Sequence, residues 1–315
     1  MFHTFVTSCS NDEDMDKTLL NIETVTEYND RLGVETLHPQ VSVIDLAQAR
    51  PMKHMRHTFG FYVVFLKDEK NCELVYGRRK YDYQKGSVVC LAPGQVIGIE
   101  DTGEEFQPQG CALCFHPDLI HGTNLGRNIK EYTFFSYEVN EALHLSEQER
   151  VIFLDCLKKI QEELCRSIDR LSKRLIANNI ELLLNYCLRF YERQFITRHD
   201  ANRDILARFE TLLDNYFKGE NALQKGKPSV KYCANELCLS ANYFGDLIKK
   251  ETGKTAMECI QHKIIDIAKE QLLIPDNSIS QIAYDLGFQY PQHFTRVFKN
   301  VTGITPNEYR GKGRK

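Results

Sequence analysis

The sequence has no apolar run long enough to cross a bilayer. Its most apolar strand-like run, FYVVFL at 61–66, is far shorter than the roughly 20 residues that a membrane helix requires. The N-terminal residues lack a basic start followed by a long apolar stretch, so no signal peptide is predicted. These absences exclude a helical membrane protein and predict a cytosolic protein that does not bind membranes.

Sequence signatures of common enzyme sites are also absent. Glycine and lysine adjoin at 85–86, 226–227 and 253–254, but none of these pairs joins a strand to a helix, as a phosphate-binding loop requires. No Gly-x-Ser-x-Gly motif marks a serine nucleophile. The sequence therefore predicts no enzyme, no catalytic residue and no cofactor.

The cysteines do not suggest a disulfide framework. There are 11, an odd number, and they are scattered. Cys156, Cys187 and Cys233 fall within apolar helical patterns. In a reducing cytosol such residues are predicted to be small buried side chains.

The formal charge of −3 is unevenly distributed along the chain. From Pro228 onward there are 12 Lys/Arg and 9 Asp/Glu residues, a charge of +3, so residues 1–227 carry −6. The positive balance lies at the C-terminal end, which favours nucleic acid as the partner of that end.

The N-terminal region, residues 1–145, is rich in short segments of β-branched and aromatic residues, broken by glycine, proline, aspartate or asparagine. This spacing is typical of a β-sandwich or barrel. The predicted strands are FGFYVVFL, CELVYG, SVVCLAPG, QVIGIE, CALCFH and YTFFSYEV.

The pattern changes at Ser146, where SEQE predicts a capping box with Glu149. Apolar residues then recur every three or four positions over 151–171, and again over 176–190. A third helix is predicted over 204–217. The first stripe is expected to pack within the chain, whereas the second suits a dimer contact equally well.

Four regions follow from these patterns. Residues 1–145 are predicted to form a sensor domain and residues 146–217 a helical stalk or dimerisation region. The polar segment KGENALQKGKP at 218–228 contains two glycines and a proline, so it predicts a flexible linker. Residues 229–315 form the last region.

The last region contains an internal repeat. VKYCANELCLSANYFGDLIKKETG at 230–253 aligns with ISQIAYDLGFQYPQHFTRVFKNVTG at 279–303, at an offset of 49 before the turn and 50 after it. Each copy predicts a short helix, a tight turn and a second helix. Gly287 stands where the turn needs a left-handed backbone. The three phenylalanines of the second copy are predicted to be core: Phe288, Phe294 and Phe298.

The segment SISQIAYDLGFQYPQHFTRVFKNVTGITPNEYR resembles the C-terminal signature of the AraC/XylS transcription regulators. The resemblance covers residues 215–310, and KGSVVCLAPGQVIGIE more weakly resembles the cupin-like sensor domains of that family. It implies an α+β protein: an N-terminal cupin-like β-barrel or jelly roll with a helical stalk, and a C-terminal all-α domain with two helix-turn-helix units. The implied partners are double-stranded DNA in two adjacent major grooves, RNA polymerase, a small-molecule effector and a second copy of the chain. Activation is implied more often than repression.

The resemblance also implies which side chains face DNA. In the second recognition helix, Gln292, Thr295 and Arg296 share one face and suit adenine, the thymine methyl group and guanine. In the first, Asn242 and Asp246 are the candidates, although Gly245 and Asp246 depart from the longer polar residues common in the family. A linker helix is expected from Ala256 to Leu273, with Ile264 where the family usually has arginine. The expected phosphate contacts are Lys249, Lys250, Lys254, Lys299 and Arg310.

Two alternatives concern the N-terminal region. It could serve only to dimerise a ligand-independent regulator, or it could be a metal-dependent cupin enzyme. The sequence has no His-x-His motif, since two residues separate His54 from His57, so metal is not predicted. The group Cys111, Cys114, His116 and His121 has zinc-like spacing, but a strand would point the two cysteines to opposite faces. Buried structural cysteines are therefore favoured, and the sequence assigns no pocket residues.

Overall fold

The computed structural model describes residues 19–53, 55–67, 74–76, 79–81, 86–98, 105–138, 141–197, 199–219 and 221–312. The chain forms two compact units, Met1–Tyr191 and Glu192–Lys315. No helix in these described ranges has the length and apolar character needed to cross a membrane.

The first unit is built on short strands followed by two long helices. Its strands are β1 (Leu19–Ile22), β2 (Val41–Asp45), β3 (Met52–Lys53), β4 (Arg56–Phe59), β5 (Tyr62–Lys67), β6 (Leu74–Tyr76), β7 (Arg79–Tyr81), β8 (Ser87–Leu91), β9 (Val96–Gly98), β10 (Glu105–Phe106), β11 (Gly110–Phe115) and β12 (Leu143–His144). Its helices are α1 (Val25–Leu32), α2 (Pro117–Ile120), α3 (Asn124–Asn128), α4 (Glu147–Leu164) and α5 (Ser172–Thr197), the last of which runs on into the second unit.

The strands pair into two five-stranded sheets and a short ribbon. One sheet has the order β1-β4-β9-β6-β7, the other β12-β8-β5-β11-β2, and β10 pairs with β3. Alternate side chains of both sheets meet in one core, to which Ile22, Phe59 and Ile97 contribute from the first sheet and Phe65 and Cys114 from the second. The predicted α+β class with an N-terminal β region is confirmed.

The second sheet is covered on its outer face as well. Val64 and Leu66 of β5 point away from the shared core, yet both are fully buried. Helix α4 packs against β2, and a 3-10 helix at Thr133–Ser136 packs against β8. The ring of Phe134 in that segment stacks on Tyr191 of α5 at 5.5 Å between centroids. The long helices of this unit therefore close the sheet that faces them.

The prediction of a strand at YTFFSYEV was wrong. Residues Thr133–Ser136 form a 3-10 helix, and Tyr132, Phe134 and Phe135 are all buried. A strand would place Phe134 and Phe135 on opposite faces. Here the ring of Phe134 packs on Tyr191 of α5 and that of Phe135 on Tyr62 and Phe115 of the sheet, so the tight helical turn places both rings in one aromatic cluster.

The predicted start of α4 is confirmed, but its predicted extent is not. Ser146 and Glu149 form the capping box, with Ser146 N donating to Glu149 Oε2 at 2.8 Å. The helix ends at Leu164, and Ile168 and Leu171 are exposed rather than part of a continuous stripe. The second stripe, from Ile176 to Phe190 on α5, is buried within the first unit.

The second unit is helical throughout its described residues. Its helices are α6 (His199–Lys218), α7 (Asn221–Lys225), α8 (Val230–Glu236), α9 (Ala241–Thr252), α10 (Ala256–Leu272), α11 (Ile279–Asp285), α12 (Pro291–Thr302) and α13 (Pro306–Lys312). Helix α6 is longer than the predicted 204–217. The units divide after Tyr191, within α5, and not at the predicted stalk end at residue 217.

The described part of segment 218–228 is not the flexible linker that its composition predicts. It contains α7, whose Ala222 is buried. Tyr216 Oη donates to Gly226 O at 2.8 Å, and Lys227 Nζ lies 4.4 Å from the ring centroid of Phe288. Gly226 has a left-handed backbone with φ of 77°, and its main chain packs against Gly287, so the segment belongs to the folded C-terminal unit.

His57 of β4 is buried in the first unit and gives its stability a specific pH dependence. Its ring stacks on Phe59 at 6.2 Å between centroids. Burial, and then the positive charge of Arg31, lowers the pKa of His57 from 6.5 to about 4. The folded protein therefore keeps this ring neutral at pH values where the unfolded chain is protonated.

We expect acidification from pH 6.5 to 4 to remove about 3 kcal/mol of the unfolding free energy through His57, because the unfolded state takes up the proton first. Urea unfolding across this pH range, compared with the His57→Leu variant, measures the effect. The difference between the two proteins should change across this window and be constant above pH 7.5. A constant difference at every pH would contradict the assignment.

Candidate nucleic-acid interface

The two copies of the repeat have the same turn geometry. In the first, Leu239 N donates to Ala234 O at 2.9 Å; in the second, Phe288 N donates to Ala283 O at the same distance. The residue before each donor has a left-handed backbone, with φ of 64° at Cys238 and 81° at Gly287. Both copies are therefore helix-turn-helix units, α8–α9 and α11–α12, as the repeat predicts.

The repeat continues past the second helix of each unit. Thr252 Oγ1 donates to Ile248 O at 2.7 Å, and Thr302 Oγ1 donates to Phe298 O at 2.8 Å. Gly253 and Gly303 then end α9 and α12 in left-handed conformations. A threonine two residues later starts the next helix with a capping box, formed by Thr255 and Glu258 in α10 and by Thr305 and Glu308 in α13.

The predicted reading face of α12 is available. Gln292 and Arg296 are exposed, whereas Phe294 and Phe298 on the opposite face are fully buried, as predicted. The hydroxyl of Thr295 donates to Pro291 O at 3.1 Å. This bond occupies the hydroxyl hydrogen, so the group that Thr295 offers outward is its methyl.

The corresponding face of α9 presents fewer protruding side chains. Asn242 is exposed, and Asp246 is half-buried. A Cβ placed on Gly245 would meet no atom within 4 Å, so the surface is open between these two side chains. Tyr243 and Phe244 hold the inner face of the helix in the core.

The candidate phosphate-binding residues separate into two groups. Lys249, Lys250, Lys254 and Lys299 are exposed, and within the described ranges none forms an ion pair with an acidic side chain. Arg310 is different, because its Nε donates to Leu272 O at 3.2 Å and its Nη2 to Asn277 O at 2.6 Å. Arg310 thus closes the C-terminal end of α10, and we do not retain it as a phosphate contact.

Helix α10 connects the two helix-turn-helix units through an apolar face. Ile264, which occupies the position of the family's usual arginine, is 1% exposed and packs in the core with Ile260 and Ile265. The linker helix ends at Leu272, one residue before the predicted end. No polar bridge is built at residue 264.

The four cysteine and histidine side chains at 111–121 do not come together at one site. Cys114 points into the shared core, where burial raises its pKa, whereas Cys111 lies on the other face of β11. His116 caps α2 by accepting a hydrogen bond from Asp118 N at 3.2 Å, and His121 is exposed. Among the described residues no three metal-binding side chains come together. His54 lies outside the described residues.

Sequence reasoning missed two features of the interface. One is Cys238, a non-glycine residue with a left-handed backbone in the turn of the first helix-turn-helix unit. The offset of 49 aligns Cys238 with Gly287 and could have identified it. The other is the packing of residues 222–227 on the second helix-turn-helix unit, where the main chain of Gly226 faces Gly287. No local pattern in the sequence signals that contact.

Comparison with known proteins agrees with this geometry. The family described as a helix-turn-helix domain matches residues 233–312. The chain is 38% identical over 87 residues to YesN of Bacillus subtilis, an uncharacterised transcriptional regulatory protein, covering 27% of this chain and 24% of YesN. It is 31% identical over 134 residues to the transposon Tn10 TetD protein of Escherichia coli, covering 42% of this chain and 83% of TetD. The chain thus spans about a quarter of the length of YesN but most of TetD.

A solved structure of a Chromobacterium violaceum transcriptional regulator, described as one of the proteins that contain an AraC-type DNA-binding domain, is also similar. It is 22% identical, covers 36% of this chain and 96% of that one, and has a TM-score of 0.31.

The turn glycines predict a difference in stability between two otherwise similar substitutions. At Gly303, φ is 80° and a Cβ would meet no atom within 4 Å, so Gly303→Ala should cost only about 1 kcal/mol for the left-handed backbone. At Gly287, a Cβ would lie 2.6 Å from Gly226 C, so Gly287→Ala should cost about 3 kcal/mol or more. Chemical denaturation of the full chain measures both, and equal costs would contradict the close packing.

Proposed function

The chain belongs to the AraC/XylS family of transcriptional regulators, and from that premise we propose that it regulates transcription by binding double-stranded DNA in two adjacent major grooves. The observation that carries this proposal is the repeated helix-turn-helix geometry, with the polar residues of α9 and α12 on the surface. We propose α9 and α12 as the two recognition helices.

Helix α12 supplies most of the base recognition in this proposal. Gln292 suits the paired acceptor and donor of adenine, and Arg296 suits the two acceptors of guanine. The methyl of Thr295 suits the methyl of thymine, since its hydroxyl is already bonded to Pro291 O. The three side chains lie at i, i+3 and i+4 of one helix and so address neighbouring base pairs.

Helix α9 contributes less sequence information. Asn242 is our candidate for a base contact, and Asp246 suits the amino group of cytosine. The missing side chain at Gly245 removes one potential contact between them. We therefore propose that the α12 half of the DNA site is the more strictly specified one.

The N-terminal unit is proposed to be a cupin-like sensor domain that binds a small-molecule effector and thereby shifts the population of DNA-binding states. We further propose that the regulator acts as a homodimer, activates transcription and contacts RNA polymerase. The buried stripe of α5 is used within the unit, so a dimer contact is better sought at the exposed Leu175 and Leu182 of α5 and at Leu171 just before it.

Capture of sheared genomic DNA by the purified full-length chain tests the proposal. We expect enrichment of a motif with two blocks about one helical turn apart, roughly 34 Å. Arg296→Ala should lose about 1–3 kcal/mol of binding free energy to the recovered site and relax the preference at one base pair. Failure of the wild-type chain to enrich any sequence, with and without candidate effectors, would overturn the proposal.

Lys299 provides a matched contrast to Arg296. Contact of the four exposed lysines with phosphates predicts a slope of about −3.6 in the plot of log affinity against log salt concentration. Lys299→Gln should make that slope shallower by about 0.9 and weaken all DNA sequences alike, because a phosphate carries no sequence information. Binding that is nearly independent of salt would contradict the phosphate assignments.

A further inference from the structure

Two separate parts of the C-terminal unit connect the helix-turn-helix units. The first is α10, which lies between them in sequence and buries Ile260, Ile264 and Ile265. The second precedes both units in sequence and comprises residues 209–219 and 221–227, which are the end of α6, helix α7 and the loop after it. We call this second connection the strap.

One end of the strap packs on the first helix-turn-helix unit. The rings of Phe209 and of Phe244 in α9 pack edge to face at 5.0 Å between centroids, and both rings are buried. The ring of Tyr216 meets Tyr232 in α8 at 5.3 Å. The strap therefore contacts both helices of that unit.

The other end packs on the turn of the second unit. The main chain at Gly226 lies so close to Gly287 that a Cβ on Gly287 would be 2.6 Å from Gly226 C and 2.9 Å from Ala222 O. Lys227 Nζ lies 4.4 Å from the ring centroid of Phe288. Burial lowers the pKa of Lys227, and a cation that is partly removed from water is held more strongly by a ring face.

Two polar contacts stabilise the position of the strap. Tyr216 Oη donates to Gly226 O at 2.8 Å, which joins α6 to the loop after α7. Asp214 of α6 forms an ion pair with Lys263 of α10, and this hydrogen bond lowers the pKa of the Asp214 carboxyl. The strap, α10 and the two helix-turn-helix units thus form a closed set of contacts.

We propose that the strap is a positioning element that fixes the spacing of α9 and α12, and so makes the protein select DNA sites by the distance between their two blocks. The inference rests on the proposed DNA-binding function. Two linked binding modules gain affinity from each other only where their geometry matches the spacing of the sites. An added base pair moves one block by about 3.4 Å and rotates it about the helix axis, which a rigid pair of recognition helices cannot follow.

The experiment compares full-length chains that carry loosened or intact straps. Tyr216→Phe combined with Lys227→Met removes the bond to Gly226 and the cation over Phe288 while keeping similar side-chain volumes. Lys225→Met is the matched control, because it makes the same charge change on an exposed residue of α7. The probes are duplexes with the captured two-block site, the same site with one base pair inserted between the blocks, and a site with only the α12 block.

We expect the wild type and Lys225→Met to bind the inserted site at least about tenfold more weakly than the captured site. In the chain with Tyr216→Phe and Lys227→Met, the loosened chain, this insertion penalty should fall to about threefold or less. Affinity for the single-block site should be the same for all three chains. An unchanged insertion penalty in the loosened chain would overturn the proposal.

A second variant keeps the test decisive if the loosened chain is damaged more generally, as loss of single-block binding would reveal. Asp214→Asn breaks the ion pair to α10 and leaves the aromatic contacts in place. Here too, an insertion penalty equal to that of the wild type counts against the strap. Absence of sequence-specific binding by the wild type itself would reject the proposed function and not the strap alone.

Discussion

The C-terminal unit depends on a close contact between two stretches of main chain. Gly226 and Gly287 approach so nearly that no side chain fits at residue 287, and the left-handed backbone of that residue is also the turn of the second helix-turn-helix unit. One glycine thus satisfies two requirements, a backbone conformation and a packing distance. At the equivalent turn of the first helix-turn-helix unit only the left-handed backbone is required, and there the chain tolerates Cys238.

This asymmetry distinguishes two copies of one supersecondary unit for which we propose different contributions to DNA recognition. The second copy is held from two sides, by α10 and by residues 222–227, and it presents glutamine and arginine side chains on α12. The first copy is held by α6 and α10, and it has an open surface at Gly245. The structural constraint and the richer set of proposed base-reading side chains therefore fall on the same copy.

The sequence was informative wherever a structural feature depends on neighbouring residues. The capping box at Ser146, the ends of α9 and α12 at glycines, and the buried faces of Phe294 and Phe298 all follow from spacings of three or four residues. Features that depend on distant contacts were not predictable. The aromatic run at 132–139 has the composition of a strand, but its rings are drawn into a cluster with Tyr191 of α5. The proposed site residues come from the resemblance to the AraC/XylS family, whereas the hydrogen bonds of Arg310 depend on carbonyl groups more than 30 positions earlier.

The packing of residues 222–227 against the second helix-turn-helix unit also determines where the chain can be divided. Composition places a boundary at 218–228, and a fragment starting at residue 229 would retain both helix-turn-helix units. It would nevertheless lose the contact of Phe209 with Phe244 and that of Lys227 with the ring of Phe288, leaving two aromatic surfaces uncovered. A fragment that starts at Glu192 keeps both rings covered. A fragment that preserves the packing of both helix-turn-helix units is therefore longer than their repeat.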